Sequence, residues 1–438
     1  MGTTETSLET DTKLKRIAWL SACDSHKRFD SLRHHFNERS LAACFHELDG
    51  TKAVGIDGVD KAHYGADLDD NLRELVARMK CMAYRPAPVR QVLIPKDGKP
   101  GATRPLGVST LEDKIVQKMM QKVLENIYEP LSLDCSYGFR PGRSCHDALR
   151  ALHRHLFQHE VQTGIDVDLA NFFDPIDHRR LVDMLSQKIG DERFIRYLIR
   201  MFKAGVLAEG DLKVSEEGVP QGNIASPILA NIFAHHVIDL WFETVVKVQC
   251  AGRIERYRYG DDMVICCQYE CDAQRIVKAL QGRLIKYGLQ LNEEKTRLVA
   301  FSKRAYRNGD KQGVFEFLGF TFYWGRSRRG AVIPKVKTSG KRLRSKLKRV
   351  SDWARYMRGR YPLRQVWALF CAKVEGHIRY YGVSFNTPAV GKFLDQATRI
   401  LFKHLNRRSQ RRSFNWEQFR RFIQRYPLPK VTIYHALF

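Results

Sequence analysis

Three aspartates carry the clearest chemical signal in this sequence. Asp261 and Asp262 form a carboxylate pair in Tyr259-Gly-Asp-Asp262, directly before the apolar run Met263–Cys267, and Asp168 lies upstream in a second apolar segment. Acids in apolar surroundings are costly unless a cation neutralises them. Three carboxylates at one edge of a sheet can hold two divalent ions about 3.5–4 Å apart, which activate a hydroxyl group and stabilise a departing pyrophosphate. The pattern therefore predicts that Asp168, Asp261 and Asp262 are catalytic metal ligands.

The upstream segment contains a second acid that spacing cannot separate from the first. Asp166 and Asp168 alternate in Thr163-Gly-Ile-Asp-Val-Asp168, whose pattern predicts a strand. Side chains two positions apart on a strand share a face. Both residues therefore stay candidates on spacing alone, and Asp174 is a further acid nearby.

Polar side chains in other segments could contact a nucleotide. Lys96 and Arg104 flank a Gly/Pro-rich turn, where fixed cations could close over a triphosphate and offset its charge. Gln221 precedes Gly222, where glycine permits close backbone approach, and its amide could hydrogen-bond the nucleotide or the template base. Lys295 could assist pyrophosphate departure as a charge or an acid. The alternatives are surface charges on a hairpin, a solvated loop amide and a solvated lysine at a helix end.

Apolar periodicity predicts the elements that must position these residues. Helical spacing occurs in residues 13–50, 68–82 and 111–128, and strand-like patterns occur in 89–94, at both aspartate segments and in 315–322. We expect an N-terminal tail and helical extension (1–60), a mixed region of strands and helices (61–325) and a basic helical region (326–438). The glycine-rich stretch Gly325–Gly330 is interpreted as the linker between the last two regions.

Positive charge is concentrated at one end of the chain. The net charge is +26, and residues 321–438 contain 28 Lys and Arg against 4 Asp and Glu, whereas the other 320 residues contain 46 against 44. Basic helices with interleaved aromatic residues favour nucleic-acid binding through phosphate contacts and stacking. A solvated basic face is the alternative interpretation. The predicted nucleic-acid contacts are Lys341, Arg342, Arg344, Lys346, Lys348, Arg407, Arg408, Arg411 and Arg412.

The remaining composition argues against several classes of protein. The ten cysteines form no paired Cys-x-x-Cys sets with histidine, so a structural zinc site is not expected. Scattered cysteines favour a reducing, cytoplasmic location. The N-terminus is polar and acidic, unlike a signal peptide, and no apolar run reaches transmembrane length, so no membrane partner is expected.

From about residue 50 onward, the order of motifs resembles that of reverse transcriptases encoded by bacterial group II introns. The blocks that carry this resemblance are, in chain order, Gly50–Val59, Tyr84–Pro86, Ile94–Lys96, Arg104–Val108, Ser136–Ser144, Asp168–His178, Gly218–Asn231, Tyr259–Asp262, Leu289–Thr296 and Phe317–Phe320. Residues 369–382 and 404–416 resemble the thumb and RNA-binding maturase domain of that family.

This resemblance implies an α+β fold of the right-hand polymerase type, with fingers, a palm of antiparallel sheet plus helices, and a helical basic thumb. It implies RNA-directed DNA polymerase activity with two Mg²⁺ ions, for which Mn²⁺ could substitute. It also selects Asp168 over Asp166 as the metal ligand. The implied partners are an RNA template, a DNA or RNA primer and deoxynucleoside triphosphates.

The resemblance implies further roles for individual residues. The backbone carbonyl of Leu169 is an expected extra metal ligand. Phe173 is the expected gate against a ribose 2′-hydroxyl, with Phe172 left ambiguous. Leu318-Gly319-Phe320 resembles the turn that holds the primer end. Gly260 departs from the alanine that is common in the family before the aspartate pair.

Several functional alternatives stay open. The chain could act mainly as a maturase that stabilises intron RNA for splicing, or as a free-standing relative used in DNA repair or phage defence. An RNA-synthesising polymerase is a further alternative, and Phe173 argues against it. No cluster of the kind used by the family's optional endonuclease follows Tyr426–Pro429, so cleavage of a DNA target is not expected. The sequence indicates neither the oligomeric state nor the cognate RNA.

Overall fold

The structure is a computed structural model of the 438-residue chain. It describes residues 2–95, 101, 103–170, 172–208, 211–214, 217–218, 222–407 and 415–438. Five of the predicted site residues lie outside the described residues, namely Lys96, Gln221, Arg408, Arg411 and Arg412.

Helices dominate the regular structure of the described residues. In chain order they are α1 (Gly2–Cys23), α2 (Glu38–Glu47), α3 (Lys61–Ala66), α4 (Leu68–Lys80), α5 (Leu111–Tyr128), α6 (Cys145–Gln158), α7 (His178–Ser186), α8 (Glu192–Phe202), α9 (Ser226–Ala234), α10 (Lys247–Gln249), α11 (Glu270–Lys286), α12 (Lys303–Arg307), α13 (Gly340–Met357), α14 (Leu363–Tyr381), α15 (Thr387–Leu405) and α16 (Trp416–Arg425). Two π-helical segments, His235–Asp239 and Phe242–Val246, connect α9 to α10.

The strands form three sheets. In chain order they are β1 (Val89–Pro95), β2 (Thr103–Val108), β3 (Thr163–Ala170), β4 (Val206–Ala208), β5 (Asp211–Lys213), β6 (Ile254–Tyr259), β7 (Asp262–Cys267), β8 (Gln290–Leu291), β9 (Arg297–Ala300), β10 (Phe315–Phe317), β11 (Phe320–Arg326) and β12 (Val332–Thr338). A four-stranded sheet has the order β2-β1-β4-β5, and a three-stranded sheet has the order β10-β11-β12. The central sheet has the order β6-β7-β3-β8, with β9 also paired to β3.

The central sheet is antiparallel and buried. Strand β3 pairs with β7 from Thr163 opposite Cys267 to Asp168 opposite Asp262, and β6 pairs with the other edge of β7. The apolar residues of β7 are inaccessible to solvent, which explains their near-continuous hydrophobic run. The mixture of helices with mainly antiparallel sheets confirms the predicted α+β class.

Two hydrophobic cores organise the molecule. The first contains the N-terminal helices, α5, α7 to α9 and one face of the central sheet. The second joins the opposite face of that sheet, through Val264 and Cys266, to α6, the three-stranded sheet and the C-terminal helices α13 to α16. Since the C-terminal helices share a core with the central sheet, they do not form a separate unit on a flexible tether.

The structure differs from three of the predicted elements. The expected single strand over 315–322 is two strands, because Leu318 and Gly319 have φ angles of 52° and 81° and form a turn. The expected linker Gly325–Gly330 belongs to the β11–β12 hairpin, and the basic helices begin after β12. Helix α1 begins at Gly2, within the expected tail, and buries Leu14 and Ile17 further along its length.

Candidate active site

The three predicted metal ligands meet at one edge of the central sheet. Asp168 near the end of β3 lies directly opposite Asp262 at the start of β7. Asp261 precedes Asp262 in the turn that joins β6 to β7. Antiparallel pairing therefore brings together carboxylates that are far apart in sequence, as the sequence predicts.

The electrostatic environment of these acids differs from one to the next. Burial, reinforced by Asp166, Asp261 and Asp168, raises the pKa of Asp262 to about 7. Burial and the charge of Asp168 also raise the pKa of Asp261, although Arg104 and Lys295 counteract this. The edge therefore holds more negative charge than its own cations neutralise, which is the condition that a divalent ion would relieve.

Lys295 forms an ion pair with Asp168, one of the three catalytic candidates. Its Nζ lies 2.8 Å from Asp168 Oδ2. Asp262 instead accepts a hydrogen bond of 3.3 Å from the backbone N–H of Leu318. Within the described part of the chain, no three His, Cys, Asp or Glu side chains are grouped closely enough to hold a metal ion as they stand. The donor chemistry fits Mg²⁺, a hard cation that carboxylate oxygens would hold.

Two residues beside Asp168 are also candidates from the sequence, Asp166 as an alternative metal ligand and Leu169 as an additional one. Asp166 is mostly buried and lies 3.4 Å from Arg297 Nη2, so it has a cationic partner within the sheet. Leu169, whose carbonyl is the expected extra ligand, is buried opposite Leu291 of β8. Asp168 lies opposite Asp262 whereas Asp166 lies opposite Val264, so the register favours Asp168 as the ligand. The role of the Leu169 carbonyl stays a prediction.

The turn before the aspartate pair requires glycine. Gly260 has a φ angle of +65°, and a Cβ atom on it would lie 3.0 Å from the ring of Phe139. Gly138 approaches the same turn so closely that a Cβ atom there would lie 2.4 Å from the Gly260 nitrogen. The departure from alanine at position 260 is thus matched to a left-handed turn with an aromatic ring above it.

A buried arginine fixes this turn, and the sequence analysis missed it. Arg258 is 1% exposed, and its guanidinium donates to both carboxylate oxygens of Asp239, at 3.0 and 2.5 Å. The same group donates to the carbonyl of Gly260 at 3.2 Å, to Asn231 Oδ1 at 3.0 Å and to Ser136 Oγ at 2.7 Å. Burial tends to raise the pKa of Asp239, but the guanidinium groups of Arg258 and Arg256 bring it below its ordinary value.

This network ties three sequence motifs to the catalytic turn. Asn231 also donates to the carbonyl of Gly138 at 2.6 Å, and the backbone N–H of Tyr137 donates to the carbonyl of Arg258 at 2.8 Å. The available signal was the placement of Arg256 and Arg258 at alternate positions of a strand, directly before the apolar run of β7. Such charges face the interior only when they are paired.

The two phenylalanines after Asp168 have different surroundings. Phe172 is 3% exposed and belongs to the first core. Phe173 is half-buried and packs against that core from its edge. Their rings are 5.6 Å apart and nearly perpendicular. This placement favours Phe173 as the residue beside a sugar, and it gives Phe172 a packing role.

The four-stranded sheet carries the predicted phosphate contact. Arg104 lies on β2 opposite Ile94 of β1, and it is exposed. Gly222 has a φ angle of +110°, and a Cβ atom on it would lie 2.4 Å from the carbonyl oxygen of Gly107 on β2. The glycine that follows Gln221 therefore lies against the strand that carries Arg104.

The turn predicted to hold the primer end contacts the catalytic edge directly. The backbone N–H of Leu318 donates to Asp262, and the carbonyl of Leu318 accepts a 2.9 Å hydrogen bond from the hydroxyl of Tyr380 on α14. The Gly319 carbonyl accepts a 3.0 Å bond from the backbone N–H of Ser339, and Phe320 is fully buried. Tyr380 is a second residue that the sequence analysis missed.

The predicted nucleic-acid contacts lie mostly on the exposed side of α13. Lys341, Arg342, Arg344 and Lys348 are exposed. Lys346 is half-buried, and its ammonium lies 5.3 Å from the centre of the Tyr381 ring. Burial and the neighbouring Arg342 lower the pKa of Lys346. Arg407 follows α15, next to the segment outside the described residues.

No helix in the described part of the chain combines the length and hydrophobicity that crossing a membrane requires.

Comparison with protein families identifies the sequence segment that contains this edge. Residues 94–322 match the model of the reverse transcriptase (RNA-dependent DNA polymerase) family. The matched segment contains all three catalytic candidates, Arg104, Phe173, Lys295 and the Leu318–Phe320 turn.

Three curated relatives extend the comparison. Protein YkfC of Escherichia coli K12 is 32% identical over 319 residues, which cover 66% of this chain and 82% of that protein. An uncharacterized 91 kDa protein in the cob intron of Schizosaccharomyces pombe is 41% identical over 192 residues, covering 44% of this chain and 23% of its own length. The group II intron-encoded protein LtrA of Lactococcus lactis subsp. cremoris is 36% identical over 169 residues, covering 39% of this chain and 28% of its own. The chain thus spans less than a third of the two longer relatives.

Proposed function

Because the chain belongs to the reverse transcriptase family of the group II intron type, we propose that it extends a primer 3′-hydroxyl with deoxynucleoside triphosphates on an RNA template. The observation that carries this proposal is the register of β3 and β7, which sets Asp168 opposite Asp262 beside the turn that bears Asp261. An acidic sheet edge of this kind is suited to metal-assisted nucleotidyl transfer.

Asp168, Asp261 and Asp262 are the proposed ligands of two Mg²⁺ ions, which Mn²⁺ could replace, with the Leu169 carbonyl as an additional ligand. When bound, such ions lower the pKa of the primer hydroxyl and neutralise charge on the triphosphate. Lys295 Nζ lies 2.8 Å from Asp168 Oδ2 at this edge. We assign Lys295 to the departing pyrophosphate, where a cation would offset developing charge.

The remaining contacts define nucleotide choice. Arg104 on β2, together with Lys96, is the proposed partner of the triphosphate, and Gln221 is the proposed contact to the nucleotide or template base. Phe173 excludes ribonucleotides because its half-buried ring stands at the edge of the core next to the β3 acids. The Leu318-Gly319 turn, held by Tyr380, aligns the primer end with Asp262.

A primer-extension assay on an RNA template tests this function. The parent should incorporate deoxynucleotides and exclude ribonucleotides, whereas Phe173→Val should admit ribonucleotides while keeping deoxynucleotide extension. Phe172→Val is the matched control, because its ring lies in the core and should affect stability instead of sugar choice. A parent that extends only with ribonucleotides would identify an RNA-synthesising polymerase instead.

RNA binding is a second proposed activity, favoured by the basic surface of α13. The relative LtrA is named as a group II intron-encoded protein, and a role in intron splicing fits that name. Deleting residues 326–438 cannot test it cleanly, because α13 to α16 share a core with the central sheet. Changing Lys341, Arg344 and Lys348 to glutamine should instead flatten the salt dependence of RNA binding, by a log–log slope of about 0.7–0.9 for each lost contact.

The biological setting has two candidates that the flanking genome separates. A copy encoded within a group II intron lies inside a sequence that folds into the catalytic intron RNA. A free-standing relative that acts in DNA repair or phage defence lacks that surrounding RNA. Sequencing the flanking DNA and searching it for the intron's RNA structure decides between them.

A further inference from the structure

Two segments flank the central sheet at the end opposite the catalytic edge, and a hairpin of the three-stranded sheet extends toward the same end. Strand β3 follows α6 and begins at Thr163, which pairs with Ala300 near the end of β9, and α12 follows directly. Strand β11 starts beside Asp262 and carries the chain away from it to the β11–β12 turn. At about 3.3 Å per residue, that turn lies about 20 Å from the acids.

These segments create one basic surface, which we call the distal surface. Its members are exposed or half-buried and are Arg154 and Phe157 of α6, Lys303, Arg304 and Arg307 of α12, and Arg326, Arg328 and Arg329 at the β11–β12 hairpin. Nearly all the excess positive charge of the chain lies in residues 321–438. On the distal surface, however, only three of the seven cations come from that region, and the other four come from residues 1–320, whose charges nearly balance.

Specific contacts make the distal surface continuous. Lys303 Nζ donates to the carbonyl of Phe157 at 3.0 Å and lies 5.3 Å from the centre of its ring. The backbone N–H of Arg304 donates to Glu160 at 3.2 Å, which anchors α12 to the segment after α6. Helix α12 packs against β12, and His153 of α6 contacts the carbonyl of Pro334 on β12 at 3.0 Å.

Glu160 lies beside Lys303 and Arg304 on this surface, but it forms no ion pair with the seven cations among the described residues. Among the described residues, no carboxylate lies within 4.0 Å of the charged nitrogens of any of the seven cations. By contrast, Arg379, Arg399 and Arg421 of the C-terminal helices each pair with an acid one turn away. A cluster of unpaired like charges is self-repelling until an anion binds it.

We propose that the distal surface binds the phosphate backbone of folded RNA outside the primer–template cleft. Six of its seven cations are arginines, whose planar guanidinium groups match phosphate geometry better than ammonium groups do. The ring of Phe157 is 51% exposed and offers a stacking platform beside these arginines. We place this RNA outside the copied segment because the surface lies at the end of the molecule opposite the acids, beyond Thr163 and Ala300. This inference rests on the proposed polymerase function.

The test compares two variants that each lose four charges. The first is Arg304→Gln/Arg307→Gln/Arg328→Gln/Arg329→Gln on the distal surface. The control is Arg193→Gln/Arg196→Gln/Lys278→Gln/Lys286→Gln, whose residues are exposed on α8 and α11. The probe is a hairpin RNA with a blocked 3′ end, and fluorescence anisotropy measures its binding over a range of salt concentrations.

We expect the distal variant to bind the hairpin at least tenfold more weakly, with a salt slope lower by about 3, since each lost phosphate contact removes about 0.7–0.9. Extension of a short primer–template should match the parent, which separates this result from failure of the polymerase proposal. Equal weakening in the control, or unchanged binding in the distal variant, would overturn the inference. Selective loss of binding to phosphatidylserine vesicles with unchanged RNA binding would assign the surface to membranes instead.

Discussion

Two buried carboxylates near the catalytic turn have opposite electrostatic environments. Asp239 is inaccessible to solvent and lies between the guanidinium groups of Arg258 and Arg256, which bring its pKa below the ordinary value despite burial. Asp262 is also mostly buried, but its charged neighbours are other acids, and its pKa rises to about 7. The first acid is neutralised by the fold, whereas the second is left for a cation that the fold does not provide. This difference separates an acid that is paired within the fold from the one that we propose as a metal ligand.

The largest expected effect concerns Asp262, which forms no ion pair with a cation among the described residues. Asp262→Asn should reduce primer extension by about a thousandfold or more, because the metal loses a charged ligand. Metal-free stability should be unchanged or higher, since a buried charge is removed. Steady-state extension and urea unfolding measure the two quantities, and the exposed acid variant Asp310→Asn serves as the control. Retained activity would refute the metal assignment.

Substitution of Asp239, which is paired with two arginines, should instead lower stability. Asp239→Asn leaves two buried guanidinium groups without their carboxylate, so the free energy of unfolding should fall by about 3–5 kcal/mol. Asp352→Asn breaks only an exposed pair with Arg355 and should change it by less than about 1 kcal/mol. Urea unfolding monitored by circular dichroism compares both variants with the parent. Similar losses in the two variants would show that Asp239 is solvated in solution.

The pH dependence of stability sharpens the comparison further. Asp262 has a folded pKa of about 7 and an unfolded value of about 3.9. Between those values the native state holds a proton that the unfolded state releases, so its contribution to stability falls as the pH rises, by up to about 1.4 kcal/mol per unit. Asp239 has a lowered pKa, so its contribution is lost only as the pH falls through that lowered folded pKa.

Thermal unfolding with and without Mg²⁺ over this pH range measures the effect. Added Mg²⁺ should stabilise the parent more at about pH 8 than at about pH 6, because deprotonated Asp262 is the form that binds metal. Asp262→Asn should lose most of that pH-dependent increment. A stabilisation by Mg²⁺ that is the same at both pH values would contradict the assignment.

The smallest expected effect concerns Ser136, which accepts a hydrogen bond from Arg258 of the buried Arg258–Asp239 pair. Ser136→Ala removes one acceptor, at 2.7 Å, from the guanidinium of Arg258, while four other acceptor contacts remain. We expect a loss of about 1–2 kcal/mol in unfolding free energy, since one buried hydrogen bond is broken. Extension should stay within a few-fold of the parent. A large loss of activity without loss of stability would indicate that Ser136 contributes to the chemistry itself.

Sequence reasoning located the acids because their chemistry is local and their strands are strongly apolar. Helix α5 was predicted with the bounds that the structure gives it, since its apolar periodicity agrees with its burial. The buried network was not predicted, because Arg258 depends on Asp239, Asn231 and Ser136, whose proximity exists only in the fold. The apolar pattern over 315–322 predicted an unbroken strand because leucine rarely adopts a positive φ, and only the family resemblance indicated the turn at Leu318.

The hydrogen bond from the Tyr380 hydroxyl to Leu318 bears on the order in which parts of the active site form during synthesis. The Leu318 N–H donates a hydrogen bond to Asp262, and the Leu318 carbonyl accepts one from the Tyr380 hydroxyl. Leu318 thus connects Asp262 to a tyrosine that lies 118 residues later in the chain. During synthesis the acids leave the ribosome long before this tyrosine does. A nascent chain therefore acquires its carboxylates first and the brace on their neighbouring turn last. We therefore expect the turn beside Asp262 to be braced only after α14 has been synthesised and has packed against it.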